Sequence, residues 1–259
     1  MTSSDEHNHV DPYHKLLAGN RHWVKFMHET HPHFFPGPPS QTPHTLWIGC
    51  GDSRVPETTI TEALPGEIFV NRNLGNQVRY DDESLMATLS YAVEELRVDA
   101  ENTPDNVPLY HVKHIIVCGH TECGAVSASY RARETADAGR TPITIPHQRP
   151  DAPLNRFLAP LTSSIRNLVE WLGISSVPER EALPLLIREN VRAQVDNLSR
   201  TEVVQNAWKT RPIGQELLIH GWVYDIRTGF ITELVTYGPD ILREDGKLSG
   251  DATEVSTGI

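Results

Sequence analysis

Two short runs that are apolar at consecutive positions restrict the fold more than any other feature. They are TLWIGC (45–50) and VKHIIVCGH (112–120). A strand with one wet face alternates polar and apolar residues. A strand that is apolar throughout is buried on both faces, the condition inside a parallel α/β sheet. GEIFVNRN (66–73), ELLIHGWVYDI (216–226) and FITELVTY (230–237) are further strand candidates. The last two flank Arg227-Thr228-Gly229 and read as a hairpin with a glycine-containing turn. Between the runs lie helical patterns. DDESLMATLSYAVEELRV (81–98) places Leu85, Leu89, Ala92, Val93 and Leu96 on one face, with Asp81, Asp82 and Glu83 near the start, where acidic groups suit the helix dipole. A helical region spans 154–208, and its second half points Val191, Val195, Leu198 and Val203 inward. The expected fold class is α/β: a mostly parallel central sheet with one antiparallel edge strand, flanked by helices that cover both faces.

Ahead of the sheet, Asp11 is an N-cap and Pro12 a first helical residue. Leu16, Leu17, Trp23, Val24 and Met27 then recur at helical spacing, interrupted at Gly19-Asn20, which predicts one broken helix or two short ones. The proline-rich stretch 31–44 is a connector whose Phe34 and Phe35 need cover. The expected organisation is a disordered start (1–10), a single domain (11–238) with an N-terminal helical arm and connector (11–44), and a polar tail (239–259). Segments 101–110 and 133–153, rich in Pro, Asn and Asp, read as surface insertions. The 259 residues, 38% hydrophobic, suffice for a sizeable core. A net charge of −11 gives no electrostatic footprint for nucleic acid or an anionic membrane. No apolar run approaches the ~18 residues of a membrane span, and the polar, acidic first residues resemble neither a secretory signal nor a transit peptide, so a cytoplasmic setting is expected.

The reactive groups collect at two strand ends. One run ends in Cys50, followed by Asp52 and Arg54; the other ends in His120, with Cys123 three residues on. Ligands in open α/β sheets gather at the carboxyl ends of strands. If the two strands are neighbours, Cys50, His120 and Cys123 meet there. Two thiolates and an imidazole form a zinc-ligand set, and three protein ligands leave the open fourth position of a catalytic site. The third cysteine, Cys118, lies within the strand and reads as a buried core thiol. His7, His9, His31 and His33 fall in polar or proline-rich segments and read as solvated.

Cys50-Gly51-Asp52-Ser53-Arg54 together with His120-Thr121-Glu122-Cys123-Gly124 resembles the two-part signature of the β-class carbonic anhydrases. The resemblance runs on through PGEIFVNRNLGNQV (65–78), VKHIIVCGH (112–120) and IHGWVYDIRTG (219–229), and covers residues 11–238. It implies one Zn2+ per subunit and reversible hydration of CO2 to bicarbonate and a proton by a zinc-bound hydroxide. Because two thiolates cancel the metal's charge, the bound water should titrate above the ~7 of a three-histidine site, with activity rising toward alkaline pH. The resemblance makes Asp52 the acceptor that orients the water, and Arg54 the partner that holds Asp52 off the metal. In a bicarbonate-regulated, type II-like subclass the matching aspartate closes onto zinc, and a Trp, Arg and Tyr hold regulatory bicarbonate. The matching residues here are Trp47, Arg72 and Tyr224, which could equally be core aromatics and a structural ion pair. The family also implies a homodimer or dimer of dimers, with the N-terminal arm laid over a partner subunit.

Other readings have less support. A cysteine-dependent phosphatase would use Cys50 as nucleophile, but Asp52 would repel a dianionic substrate. A non-catalytic zinc- or bicarbonate-sensing module would not need the Asp52–Arg54 pair. The same zinc site acting on CS2 or COS would share every catalytic group.

Overall fold

The structure, a computed structural model, describes residues 11–136 and 141–239. The expected disordered start and the tail from 240 onward lie outside the described residues. The chain divides into two compact units, residues 1–41 and 42–259.

The first unit carries helix α1 (Pro12–Thr30), which begins with proline after Asp11. It is one uninterrupted helix rather than the broken or paired helices expected from Gly19-Asn20. A single mid-helix glycine costs about 1 kcal/mol against alanine, too little to outweigh the good helix formers on either side. After the helix Phe34 and Phe35 find their cover in Trp23: the three rings meet edge to face, at centroid separations of 4.7–6.0 Å. Tyr13, Leu16, Leu17 and Phe26 of the helix are exposed.

The second unit is built on a five-stranded sheet. Its strands are β1 (Thr45–Cys50), β2 (Ile68–Asn73), β5 (His114–His120), β6 (Leu218–Tyr224) and β7 (Ile231–Tyr237), in the order β2-β1-β5-β6-β7. All pairings are parallel except β6 with β7, the expected antiparallel edge. The two continuously apolar runs became β1 and β5, two of the three inner strands, and every residue of β1 is buried. The β6–β7 turn closes as predicted, with Gly229 at φ +78° and its N–H on the Asp225 carbonyl.

The helices are α2 (Glu57–Ile60), α3 (Glu83–Ser90), α4 (Gly124–Arg131), α5 (Pro153–Leu172), α6 (Glu179–Ser199) and α7 (Glu202–Thr210). Their cover of the sheet is unequal. Leu46, Ile48, Ile115, Val117 and Ile219 pack with residues of α3, α6 and α7, and the same face continues through Val223 to α4 and α5. The other face carries a smaller cluster of Trp47, Ile116 and Cys118, with Ile60, Ile68, Trp222 and Tyr224 against it. The pattern 81–98 does not form one helix. Asp82 caps α3 by accepting from the Leu85 N–H, and a π-helical turn (Tyr91–Glu95) leads into β3 (Arg97–Val98). The insertion 101–110 ends in β4 (Leu109–Tyr110), paired antiparallel with β3. Of the predicted inward residues of α6 and α7, Val191, Val195 and Leu198 are fully buried, but Val204 rather than Val203 fills the last place. The described part of the second insertion is fastened to α5. The Asn155 side chain exchanges bonds with the Ile145 backbone at 2.8 and 3.2 Å and donates to the Arg149 carbonyl, and the Thr144 and Thr162 hydroxyls meet at 2.7 Å. Among the described residues no helix is long and apolar enough to cross a membrane.

Candidate metal centre

Parallel pairing of β1 with β5, in the register Thr45↔His114 to Gly49↔Cys118, brings their carboxyl ends to one edge of the sheet. Cys50 closes β1 and His120 closes β5. Beyond His120 the chain turns at Glu122, which holds a left-handed φ of +57°, and places Cys123 at the N-cap of α4. The Cys50 and Cys123 sulfurs are thereby 3.9 Å apart, although 73 residues separate them in sequence. With His120 they form the one group of three metal-capable side chains found among the described residues; all are buried, with ligand atoms within 4.8 Å of one another.

The donor set fits zinc. Two sulfurs at ~2.3 Å from a tetrahedral ion would stand about 3.8 Å apart, which matches the observed separation. The His120 Nδ1 lies 2.9 Å from the Thr121 carbonyl, so it carries the proton and donates, leaving the Nε2 lone pair toward the thiols. That Nε2 is buried and has no hydrogen-bond partner. The hydrogen bond from Cys123 is the main influence holding the Cys50 thiol below its ordinary range; His120 and the Gly75 and Asp52 N–H groups add to it, and burial opposes it. The same bond and burial push Cys123 up, while the Val126 and Ala125 amides at the start of α4 favour its thiolate. The pair thus shares a proton that a bound cation would displace. Cys118 is the core thiol expected: it is buried, and burial pushes it up to about 12.

Asp52 stands beside the triad, its Oδ2 3.8 Å from His120 Nε2. Its Oδ1 accepts from the Arg54 backbone N–H at 2.9 Å and from Nε at 3.0 Å, and its Oδ2 accepts from Nη2 at 2.8 Å. This forked pair with Arg54 holds the carboxyl well below the usual carboxylate range. Arg54 also donates to the Glu122 carbonyl at 3.2 Å and faces its carboxylate at 3.7 Å, so one guanidinium ties the loop after β1 to the loop after β5. Glu122 in turn pairs with Arg227.

The three residues matched to a bicarbonate pocket are placed unequally. Trp47 and Tyr224 belong to the same small cluster on the sheet face. Trp47 is wholly buried, lies edge-on to Trp222 at 6.1 Å, and its Nε1 donor has no partner. Arg72 is committed elsewhere: Nε donates to the Cys50 carbonyl at 2.8 Å, Nη2 donates to the Asp52 carbonyl, and Nη1 stands 3.7 Å from Glu57. It therefore braces the backbone that carries Cys50 and Asp52. Sequence reasoning missed that brace, and it quoted Glu122 within the motif without giving it a task. The solvated reading holds for His31 and His33, both exposed; His7 and His9 lie outside the described residues.

Residues 45–100 and 106–231 match the family described as carbonic anhydrase. The chain is 31% identical over 240 residues to a carbonic anhydrase of Emericella nidulans, covering 90% of this chain and 88% of that protein. It is 29% identical over 224 residues to a carbonic anhydrase of Saccharomyces cerevisiae, covering 86% and 88%. Among solved structures it resembles one of two tetrameric β-carbonic anhydrases of the ascomycete Sordaria macrospora, with a TM-score of 0.67 and 32% identity over 87% of this chain and 98% of that one. It also resembles a Coccomyxa β-carbonic anhydrase in complex with acetazolamide, with a TM-score of 0.68 and 29% identity over 90% and 92%.

Proposed function

The chain belongs to the β-carbonic anhydrase family, and on that premise we propose that it hydrates CO2 reversibly to bicarbonate and a proton at a zinc ion held by Cys50, His120 and Cys123. The observation that carries this reading is a buried two-sulfur, one-nitrogen donor set with an ionised carboxylate fixed beside it. When bound, zinc supplies the Lewis acidity that turns water into a nucleophile near neutral pH. The protein's own groups do the rest. The Thr121 carbonyl fixes the His120 tautomer. Asp52, kept anionic by Arg54, is an acceptor only; it takes a hydrogen bond from the attacking water and leaves a lone pair free for the carbon of CO2. Arg72 and Arg54 hold the two loops so that Asp52 and the ligands keep their spacing. CO2 carries no charge, so the site asks little of recognition beyond a dry, narrow approach. CS2 or COS would meet the same groups, and assay of sulfide release separates them. A sensing module without turnover remains the non-enzymatic alternative.

One feature supports control by bicarbonate. The Trp47 indole N–H is a buried donor without an acceptor, in one cluster with the Tyr224 side chain. An oxyanion there would satisfy it. It would also compete with the Cys50 and Asp52 carbonyls for Arg72, loosening the loop that presents Asp52 and so favouring closure of Asp52 onto the metal. The exposed apolar residues of α1 support an arm that covers a second copy of the chain, in a dimer or a dimer of dimers, and sedimentation velocity reads that state. The three buried, unpaired thiols support a reducing, cytoplasmic setting. The decisive experiment is metal analysis with stopped-flow CO2 hydration for the parent, Cys50→Ser and Asp52→Ala. Cys50→Ser should lose zinc and activity, and Asp52→Ala should keep zinc and lose about a hundredfold in rate. Stoichiometric zinc with no hydration at about pH 8.5 would overturn the reading.

A further inference from the structure

Glu122 lies between His120 and Cys123 and holds a left-handed φ of +57°. A residue other than glycine is uncommon there, and such a conformation persists only where its surroundings enforce it. The surroundings here are the β6–β7 turn. The Thr121 N–H donates to the Tyr224 carbonyl at 2.9 Å. The Thr121 hydroxyl donates to Asp225 Oδ1 at 3.1 Å and accepts from the Ile226 N–H at 3.0 Å. Asp225 Oδ1 also accepts from the Arg227 N–H at 2.9 Å, which fixes the start of the Arg227 side chain. Arg227 then reaches back to the loop: its Nε donates to Glu122 Oε1 at 2.5 Å, and its Nη2 pairs with the same oxygen. Glu122 Oε2 is left 3.7 Å from Arg54 Nη1. Arg54 therefore stands between two carboxylates and serves them unequally. Its forked bonds go to Asp52, at 2.8 and 3.0 Å, and Glu122 is kept further off. As a contribution to stability the Arg227–Glu122 pair is worth little, because Arg227 is 78% exposed. Its consequence lies in where it leaves Arg54.

We propose that Arg227 is a positioning residue: by occupying the Glu122 carboxylate, it keeps Glu122 from drawing Arg54 away from Asp52. The inference rests on the reading of Asp52 as the acceptor that orients the attacking water. Charge-assisted bonds between guanidinium and carboxylate are short and forked. A Glu122 carboxylate with no other cation beside it would close its gap to Arg54. The Arg54 Nη2, which serves Asp52 and the Glu122 carbonyl, would turn with it. Arg227 removes that pull. A merely structural role for Arg227 would act whether or not residue 122 is charged, whereas this role requires the charge.

The test is a double-mutant cycle in the full-length, zinc-loaded enzyme. It compares the parent, Arg227→Met, Glu122→Gln and Arg227→Met/Glu122→Gln, with Arg227→Lys as the variant that keeps the charge. Zinc content and circular dichroism establish loading and folding, and stopped-flow CO2 hydration gives kcat/KM. Arg227→Met should lower kcat/KM about fivefold when Glu122 is present and less than about twofold once residue 122 is neutral. Arg227→Lys should stay within about twofold of the parent. A second readout needs neither zinc nor turnover. The Arg54 Nε–H, bonded to Asp52 Oδ1, gives a nitrogen-15 NMR signal identified by its loss in Arg54→Lys. In zinc-free protein its exchange with water should be about fivefold faster in Arg227→Met than in the parent. In the double variant it should be no faster than in Glu122→Gln. An equal loss of kcat/KM in both backgrounds, a loss in Arg227→Lys as large as in Arg227→Met, or an Arg54 signal indifferent to Arg227→Met would overturn the proposal. So would loss of zinc from Arg227→Met, since Arg227 would then be holding the ligands. Should the Glu122 variants fail to fold, the Arg54 exchange rate in Arg227→Met decides alone. A parent that holds zinc and does not hydrate CO2 defeats the proposed function instead, while the Arg54 signal still reports on Arg227, so the two failures are distinguishable.

Discussion

Gly119→Ala tests how closely α6 is set against the strand that carries His120. A Cβ at residue 119 would stand 2.6 Å from Val191 Cγ2, where ordinary contact begins at 3.4 Å. Val191 is fully buried, and Ile187 Cγ2 and Asn76 Oδ1 close the other sides at 3.7 and 3.5 Å. No flexible side-chain end is available to yield, so helix and strand must separate by about 0.8 Å. Overpacking of this kind costs about 1–3 kcal/mol. Taking about 2 kcal/mol, a chain of this size should melt about 4–8 °C lower. The strain reaches the site through His120 next door. A shift near 1 Å can cost about a hundredfold in rate. Calorimetry of the zinc-saturated enzyme and stopped-flow CO2 hydration read the two effects. Val191→Ala removes the obstructing atom, so Gly119→Ala/Val191→Ala should be at least about 1 kcal/mol more stable than the sum of the single changes. An unchanged melting temperature for Gly119→Ala, or a double variant additive to within about 0.5 kcal/mol, would refute the packing argument.

Metal removal should leave the fold standing, because the sheet and its clusters do not depend on the triad. Far-UV circular dichroism should be unchanged by a chelator, with a loss of about 4 kcal/mol relative to zinc at a thousandfold excess over its dissociation constant; unfolding on chelation would contradict this. Glu179, beside Arg131 and the Ser127 hydroxyl, has its carboxyl held below the usual range. A depressed carboxylate contributes stability above its unfolded pKa and loses it as pH falls through the folded value. Glu179→Gln should therefore lower the melting temperature at neutral pH and converge with the parent at acid pH, which flattens the acid side of the profile; parallel profiles would count against the pair. Trp47→Phe removes the unpartnered indole donor, and bicarbonate inhibition should weaken by about tenfold or more. Equal inhibition of variant and parent would exclude Trp47 from control.

The parts of the fold that could be read from the sequence share a cause. β1 was legible to its last residue because burial on both faces writes an unbroken apolar run, and the meeting of Cys50, His120 and Cys123 followed because the first two close strands whose pairing could be guessed and the third lies three residues on. Helix interruptions were less legible. Gly19-Asn20 looked like a break yet is tolerated, whereas 81–98 looked continuous and ends in a π-helical turn that no local propensity marks. The braces around the site were invisible for a different reason. Arg72 on the Cys50 carbonyl and Arg54 on the Glu122 carbonyl are side-chain bonds to backbone, and a carbonyl leaves no trace in residue identity. Glu122 did leave a trace, as a charged residue inside the second motif, but only the fold shows where its bonds lead.

The strand order has a consequence during synthesis. β5 lies at the middle of the sheet, yet one of its neighbours, β6, follows it by nearly a hundred residues. At ~5–20 residues per second the ribosome needs about 5–20 s to deliver that neighbour. For that interval a strand whose last six residues are buried in the finished sheet has an open edge, the kind that recruits other strands. α4, α5 and α6 emerge in the meantime and can shield its face but not its hydrogen-bonding edge. A nascent chain stalled between residues 121 and 217 is therefore where a holding chaperone would be needed most, and where overexpression would first send this protein into aggregates.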